Sequence, residues 1–156
     1  MTFTLTSRSA RSVAVAAATL AMLALTPAPA GSVIALPGPC GLQRHDGETV
    51  PHFSKRLIRC AVKRLGPVPG GADRAICIAR RESGLWPSAT SEPTGEYRGL
   101  FQHDRDYWPW RFDHYTEPAW DLSRRALNGR SNAVVTIRMV ADFGTWKRAG
   151  WPRRDC

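Results

Sequence analysis

One glutamate of this sequence has the position that acid catalysis requires. Glu82 ends an apolar, helix-like segment and is followed by Ser83-Gly84, while Pro87 prevents the helix from continuing. The negative end of a helix dipole and apolar neighbours both disfavour an ionised carboxylate. A carboxyl group that keeps its proton near neutral pH can protonate the leaving oxygen of a glycosidic bond. Position alone also fits a surface ion pair with a neighbouring arginine.

Two short motifs favour the catalytic interpretation. They are Arg81-Glu82-Ser83-Gly84 and, after a short loop, Gly99-Leu100-Phe101-Gln102. A Glu-Ser pair at a helix end, followed by Gly-Leu-Met-Gln or a close variant, resembles the soluble lytic transglycosylases and goose-type lysozymes. Asn132-Ala133, an apolar helix, Gly144 and a trailing tryptophan are similar to the end of such domains in actinobacterial wall enzymes, including the resuscitation-promoting group. The resemblance covers residues 54–156, with phenylalanine in place of the usual methionine.

The resemblance implies cleavage of peptidoglycan glycan strands at the β-1,4 bond between N-acetylmuramic acid and N-acetylglucosamine, without a cofactor. Glu82 would be the general acid, Ser83 would help hold the site, and Gln102 would line the sugar cleft. The second motif can also be interpreted as a simple turn that leads into an aromatic core segment.

A second carboxylate would decide the outcome of the reaction. In goose-type lysozymes the glutamine motif continues to an aspartate that helps to position water, and Asp104 stands at that place here. In lytic transglycosylases a hydroxyl of the substrate itself closes an anhydro ring, so no such carboxylate is needed. Asp104 also fits a helix N-cap before the aromatic stretch that follows. Hydrolysis and transglycosylation therefore both stay open.

Aromatic side chains near the motifs suit sugar binding, because their faces cover the apolar faces of pyranose rings. The candidates are Tyr97, Trp108 and Trp110, and core packing is the competing explanation for each. Tyr97 stands next to the second motif, so we expect it to face the cleft.

Three helices are predicted to position these residues. The first runs from about Ser54, as N-cap, to Leu65; the second starts near Gly71 to Asp73, which can cap, and ends at Ser83; the third runs from Ser131 or Asn132 to Phe143. The third has few polar positions and should be the buried centre. The turn-rich residues 89–102 suggest a short β-hairpin or loop. These elements predict a mainly α (α+β) fold, and the resemblance implies that it is a lysozyme-like domain.

The N-terminal residues are typical of an export signal. Arg8 and Arg11 precede an apolar run from Val13 to Leu25, and Ala28-Pro29-Ala30 fits a signal peptidase site. We expect a signal peptide at 1–30, an irregular arm at 31–53 and the lysozyme-like transglycosylase domain at 54–156. The apolar run is shorter than the ~20 residues that span a bilayer. The expected product is therefore a secreted monomer without stable membrane insertion.

Four cysteines remain after the predicted leader, and an even number in an exported chain predicts two disulfides. Three pairings are possible from the count alone. Ligands of structural zinc come in close pairs, which this chain lacks, so no metal site is expected. In resuscitation-promoting domains a cysteine beside the glutamate pairs with one near the C-terminus. That resemblance implies Cys77 with Cys156, which leaves Cys40 with Cys60.

The charge of the chain favours anionic partners. Two of the 22 Lys and Arg residues lie in the predicted leader, which leaves 20 against 13 acidic residues and a formal charge of +7. Such a field attracts polyanions. In an exported protein, acidic wall polymers are more plausible partners than nucleic acid. Two other functions stay open: a catalytically weak glycan-binding or signalling protein of the cell wall, and a basic membrane-active antimicrobial protein that works by charge.

Overall fold

The first helix of the described residues begins earlier than its apolar pattern predicts. A computed structural model describes residues 36–152 and 155–156, so the predicted leader lies outside the described part. Helix α1 spans Val50–Leu65, and its N-cap Thr49 accepts a hydrogen bond from the backbone N–H of His52 at 3.4 Å. Proline is tolerated in a first helical turn, so Pro51 does not delay the start. The predicted cap Ser54 was wrong, because Ser54 lies buried inside α1.

The arm before α1 is tied to this helix by Glu48. Its carboxylate lies 2.8 Å from His52 Nδ1 and 2.7 Å from Arg56 Nη1, and it accepts a hydrogen bond from the backbone N–H of His45. Burial raises the pKa of Glu48, but these hydrogen bonds and the charge of Arg56 outweigh it and lower the pKa to about 2. The arm is therefore part of the folded structure around α1.

Helix α2 spans Gly71–Ser83 and ends as predicted. Gly84 adopts a left-handed conformation, with φ of 64°, and its N–H bonds to the carbonyl of Arg80. At the other end Gly70 is the N-cap and no side chain caps the helix, so the capping role expected of Asp73 was wrong. The apolar face of α2 lies in the core.

A short hairpin and a third helix follow α2. Strand β1 (Tyr97–Arg98) pairs antiparallel with β2 (His103–Asp104), so that Tyr97 lies opposite Asp104. Helix α3 spans Trp108–Tyr115 and buries Trp108, Phe112 and Tyr115. A 3₁₀ turn at Pro118–Trp120 leads towards the last helix.

Helix α4 spans Gly129–Phe143 and is the buried centre of the fold, as predicted. It packs against α1 and α3, and nine of its residues are buried. Its N-cap is Asn128, whose side chain accepts a hydrogen bond from Ser131 N–H at 3.0 Å, so the predicted caps Ser131 and Asn132 were wrong. These elements confirm a mainly α fold with a small antiparallel hairpin between α2 and the later helices.

Two disulfides join the predicted pairs. Cys40 bonds to Cys60, which fastens the arm to α1, and Cys77 bonds to Cys156, which fastens the C-terminus to α2. Within the described residues, no helix is both long and apolar enough to cross a membrane.

Candidate active site

The two sequence motifs meet at the end of α2. The hydroxyl oxygen of Ser83 lies 3.0 Å from the carbonyl oxygen of Ala79 and 2.8 Å from that of Leu100. A serine hydroxyl carries one proton, so the two carbonyls share it. The contact with Leu100 joins the helix end that carries Glu82 to the Gly99–Gln102 turn. Ser83 thus links the two motifs, and its role in holding a substrate site stays a prediction.

Glu82 is the penultimate residue of α2 and is half-buried. Beyond it Gly84 and then Leu85 both have positive φ, and Leu85 is 3% exposed. These two residues reverse the chain, and Trp86 follows with 49% of its surface exposed. The neighbouring Arg81 lies 2.8 Å from the carboxylate of Asp155. That contact gives Arg81 an acidic partner near the C-terminus.

The second motif needs glycine at its first position. Gly99 has φ of +83°, and its N–H bonds to the carbonyl of Ala89 at 2.8 Å. A Cβ atom there would overlap the side-chain amide of Asn132 and the carbonyl oxygen of Ala126. Both the left-handed backbone and the close approach therefore exclude a larger residue.

The side chain of Asn132, in α4, holds the Gly99–Gln102 turn in place. Its Oδ1 accepts a hydrogen bond from Phe101 N–H at 3.0 Å, and its Nδ2 donates to the carbonyls of Ala126 at 2.9 Å and Arg98 at 3.3 Å. Asn132 is fully buried. Sequence reasoning treated this residue only as a helix cap and as part of a family motif. The structure shows that it positions the backbone on which Gln102 stands.

Phe101, the third residue of the second motif, fills an aromatic core. Phe101 is fully buried, with its ring 6.2 Å from that of Trp146 and 5.9 Å from that of Trp151. The indole N–H of Trp151 donates to the carbonyl of Phe101 at 2.8 Å. The trailing tryptophans therefore support the turn from the C-terminal side.

Gln102 is half-buried and adopts a positive φ of 49°. Its side-chain Nε2 donates to the carbonyls of Gly99 at 2.9 Å and Ala89 at 3.2 Å. Among the described residues no donor bonds to its Oε1. The side chain is therefore held by its amino end, and its oxygen is the group left to contact a ligand.

Asp104 is not the N-cap that competed with water positioning, because the N-cap of α3 is Tyr107 and no side chain caps this helix. The Oδ1 atom of Asp104 accepts hydrogen bonds from the backbone N–H groups of Asp106 at 2.8 Å and Tyr107 at 3.2 Å, just before α3. Tyr97, opposite it, is 42% exposed. The negative charge of Glu96, together with burial and Asp104, raises the pKa of Tyr97. The proposed contact of Asp104 with water stays a prediction that would use its other oxygen.

The structure separates the aromatic candidates. Trp108 lies in the core, 5% exposed, and its indole N–H donates to the carbonyl of Arg124 at 2.6 Å, so its proposed sugar contact was wrong. Trp110 is 57% exposed. Trp86 and Tyr107 are also exposed and were not singled out, although both stand within four residues of a predicted catalytic carboxylate.

A buried histidine beside the site was missed by sequence reasoning. The His103 ring lies 2.7 Å from Thr136 Oγ1 and 3.1 Å from Arg111 Nη1. Thr136 donates its own proton to the carbonyl of Asn132, so its oxygen must accept from His103 Nε2, while Nδ1 accepts from Arg111. Burial, and then the charge of Arg111, lowers the pKa of His103 well below 6.5. Successive side chains of a strand point to opposite faces, so an outward Asp104 in β2 implies an inward His103. That alternation is the signal that could have identified His103 as buried.

The buried His103 should make stability depend on pH. The folded protein keeps it neutral, whereas the unfolded chain takes up a proton below about pH 6.5, so its contribution is complete above that pH and is lost as the pH falls. We expect the free energy of unfolding to fall by up to about 1.4 kcal/mol per pH unit between about pH 6.5 and 5. Urea unfolding at a series of pH values measures this slope. His103→Gln should flatten it, and an unchanged slope in that variant would contradict the assignment.

A cavity and the metal-ligating side chains were also compared with the candidate site. A cavity of about 280 Å³ lies between the arm and the start of α4, and Leu42, Phe53 and Arg130 contribute to its lining. No group of three or more metal-ligating side chains occurs in residues 36–152 and 155–156.

Comparison with protein-family models, with curated proteins and with solved structures finds no match to this chain. Its function is therefore argued from the site itself.

Proposed function

We propose that this protein is a secreted enzyme that cleaves peptidoglycan at the β-1,4 bond between N-acetylmuramic acid and N-acetylglucosamine. The observation that carries the proposal is the hydrogen bond from Ser83 to the carbonyl of Leu100. It brings the helix end that carries Glu82 against the Gly99–Gln102 turn, which is the juxtaposition that the two motifs require.

Glu82 supplies the acid in this proposal. Its half-buried carboxyl group, at the negative end of α2, donates a proton to the glycosidic oxygen while the bond from the sugar carbon to that oxygen breaks. Trp86 follows the first motif and Tyr97 precedes the second, and both rings are exposed to a ligand. Gln102 offers an amide oxygen to a sugar hydroxyl or N–H. The electron-deficient sugar carbon then needs a nucleophile.

Two nucleophiles can complete the reaction. Water gives hydrolysis, and Asp104 would orient it through the oxygen that does not bond to the backbone of the turn before α3. The 6-hydroxyl of the muramic acid unit gives an anhydro ring, with no added water. In both cases the proton lost by the nucleophile returns to Glu82, which restores the enzyme.

Export is supported by the covalent structure. Both disulfides persist in oxidising compartments such as the extracellular space, and reducing cytoplasm would disfavour them. The excess of basic residues suits a protein that works among acidic wall polymers.

The proposal is tested by incubating the purified protein with peptidoglycan sacculi and identifying the soluble products by mass. Muropeptides with free reducing ends would establish hydrolysis, and products lighter by one water would establish anhydro ends. The sugar at the newly formed end of each product identifies which glycosidic bond was cleaved. Release of no muropeptide from sacculi that a control lysozyme digests would refute the enzymatic proposal.

A further inference from the structure

Helix α3 presents two aromatic faces, of which one is buried. Trp108, Phe112 and Tyr115 point into the core, at helical spacings of four and three residues. The opposite face, called here the α3 aromatic face, consists of Tyr107, Trp110, Arg111 and His114. Core packing therefore does not explain the three exposed residues, Tyr107, Trp110 and His114, and Arg111 lies at the edge of the core.

The rings of the α3 aromatic face are exposed and held in place. Tyr107 is 62% exposed and Trp110 57% exposed. The indole of Trp110 stacks on the imidazole of His114, with centroids 5.1 Å apart and planes 12° apart, and meets Tyr115 edge-on at 6.3 Å. A ring fixed in this way loses little entropy when a ligand packs on it.

Arg111 adds a positive charge to the same face. One nitrogen of its half-buried guanidinium lies 3.1 Å from the neutral His103 ring, and its central carbon lies 5.7 Å from the centre of the Tyr107 ring. Within the described residues it forms no ion pair. Burial lowers the pKa of Arg111, while the charge of Asp104 opposes this effect. The guanidinium thus has donors to offer to an anion.

The nearby carboxylates are engaged elsewhere. Asp106 pairs with Arg105 at 3.1 Å, and Asp113 pairs with Arg124 at 2.5 Å. Asp104 uses Oδ1 for the backbone N–H groups of the turn before α3. The hydrogen-bond partner of Arg111 is therefore a neutral imidazole, while Asp104 acts on Arg111 through its charge without an ion-pair contact.

We propose that the α3 aromatic face binds an acidic stretch of the glycan strand, with Trp110 and Tyr107 against sugar rings and Arg111 on a carboxylate of a muramic acid unit. This inference rests on the proposed function for its class of ligand. The carboxylate can belong to the lactyl group or to the attached peptide stem, and both present the same chemistry to a guanidinium.

Continuity with the candidate site favours a glycan over a protein partner. The N–H of Tyr107 bonds to Asp104, and Asp104 lies opposite Tyr97 in the hairpin, so the face extends directly from the site. It covers about two helical turns, or ~10 Å, and includes no aliphatic side chain. A stable protein interface needs about 800 Å² from each partner. A single glycan strand can bind with a smaller buried area.

Binding is measured on a Glu82→Gln background, which prevents turnover. The probes are chitotetraose, which is neutral, and an alternating N-acetylglucosamine and N-acetylmuramic acid tetrasaccharide with and without peptide stems. Dissociation constants come from calorimetry, and NMR follows the indole N–H of Trp110. Arg111→Gln keeps a donor for His103 but removes the charge.

We expect Arg111→Gln to weaken binding of acidic tetrasaccharide about tenfold and to leave chitotetraose binding unchanged. An effect only on the stem-bearing ligand would assign the carboxylate to the stem. Trp110→Ala should weaken binding of all three ligands about five- to tenfold. Arg59→Gln and Phe143→Ala, which alter exposed residues of α1 and α4, are the matched controls and should change nothing.

Equal affinities in the parent and the Arg111 and Trp110 variants would overturn the inference and leave the face to a protein partner. Equal losses for acidic and neutral ligands in Arg111→Gln would overturn the carboxylate contact. These outcomes differ from failure of the proposed function, because glycan binding through α3 can be present in a protein that cleaves nothing. Conversely, if the protein cleaves peptidoglycan but these variants do not change its affinity for glycans, only this inference is refuted.

Discussion

Replacing Glu82 with glutamine is expected to lower the rate of muropeptide release from peptidoglycan by about 10²- to 10⁴-fold, the usual contribution of a general acid. The amide preserves the size of the side chain but has no proton of suitable acidity for the leaving oxygen. Ser83 and the Gly99–Gln102 turn are untouched, so the site should keep its shape. Initial rates from mass analysis of released products measure the effect.

A glutamate in the loop after α2 provides the matched control. Glu92 is exposed, and Glu92→Gln makes the same chemical change outside the two motifs. We expect this control to retain the parent rate, and circular dichroism should show that both variants are folded. Equal rates for Glu82→Gln and the parent protein would remove Glu82 from the mechanism. An equal loss in both variants would point to charge rather than to acid catalysis.

Replacing Asn132 with alanine is expected to destabilise the protein by about 3–5 kcal/mol, because it leaves a buried N–H and two carbonyls without their partner. That is a large fraction of the ~5–15 kcal/mol by which domains of this size are stable. The turn of the second motif would also lose its support. We therefore expect muropeptide release to fall even at temperatures where the variant stays folded. Urea unfolding, monitored by tryptophan fluorescence, gives the free energy.

One helical turn away, Asn128 offers the comparison for this experiment. It is the exposed N-cap of α4, and its side chain bonds to Ser131. Asn128→Ala should cost about 1 kcal/mol, as for other N-caps. A loss in Asn132→Ala no greater than in Asn128→Ala would mean that the buried hydrogen bonds do not hold the turn.

Local signals predicted the elements well where termination chemistry was unambiguous. Gly84 and Gly144 end α2 and α4 as expected, because glycine adopts the left-handed conformation that a helix end requires. The starts were less well predicted. Ser54 has a residue type that suits both an N-cap and a buried helical position, so the sequence places the start of α1 too late. Only the hydrogen bond from the backbone N–H of His52 to Thr49 identifies the true start.

Short motifs also decided which site residues the sequence could propose. The sequence identifies Glu82, Ser83 and Gln102 through two motifs, and the resemblance also predicted the observed disulfide pairs. Trp108 and Trp110 could not be distinguished, because they stand two residues apart and only helix packing sends them to opposite faces of α3. His103 was likewise one histidine among four until burial gave it partners.

The sequence by itself determined the mainly α class, the helix ends marked by glycine and the acid candidate Glu82, because these depend on backbone preferences and short motifs. Tertiary structure alone decided which residues support the site. Asn132 bonds across 31 residues to Phe101, and His103 across 33 to Thr136. Such contacts depend on how α4 packs beneath the hairpin, and no local pattern encodes that packing. The same packing leaves Trp110 exposed and sets Arg111 against the buried His103.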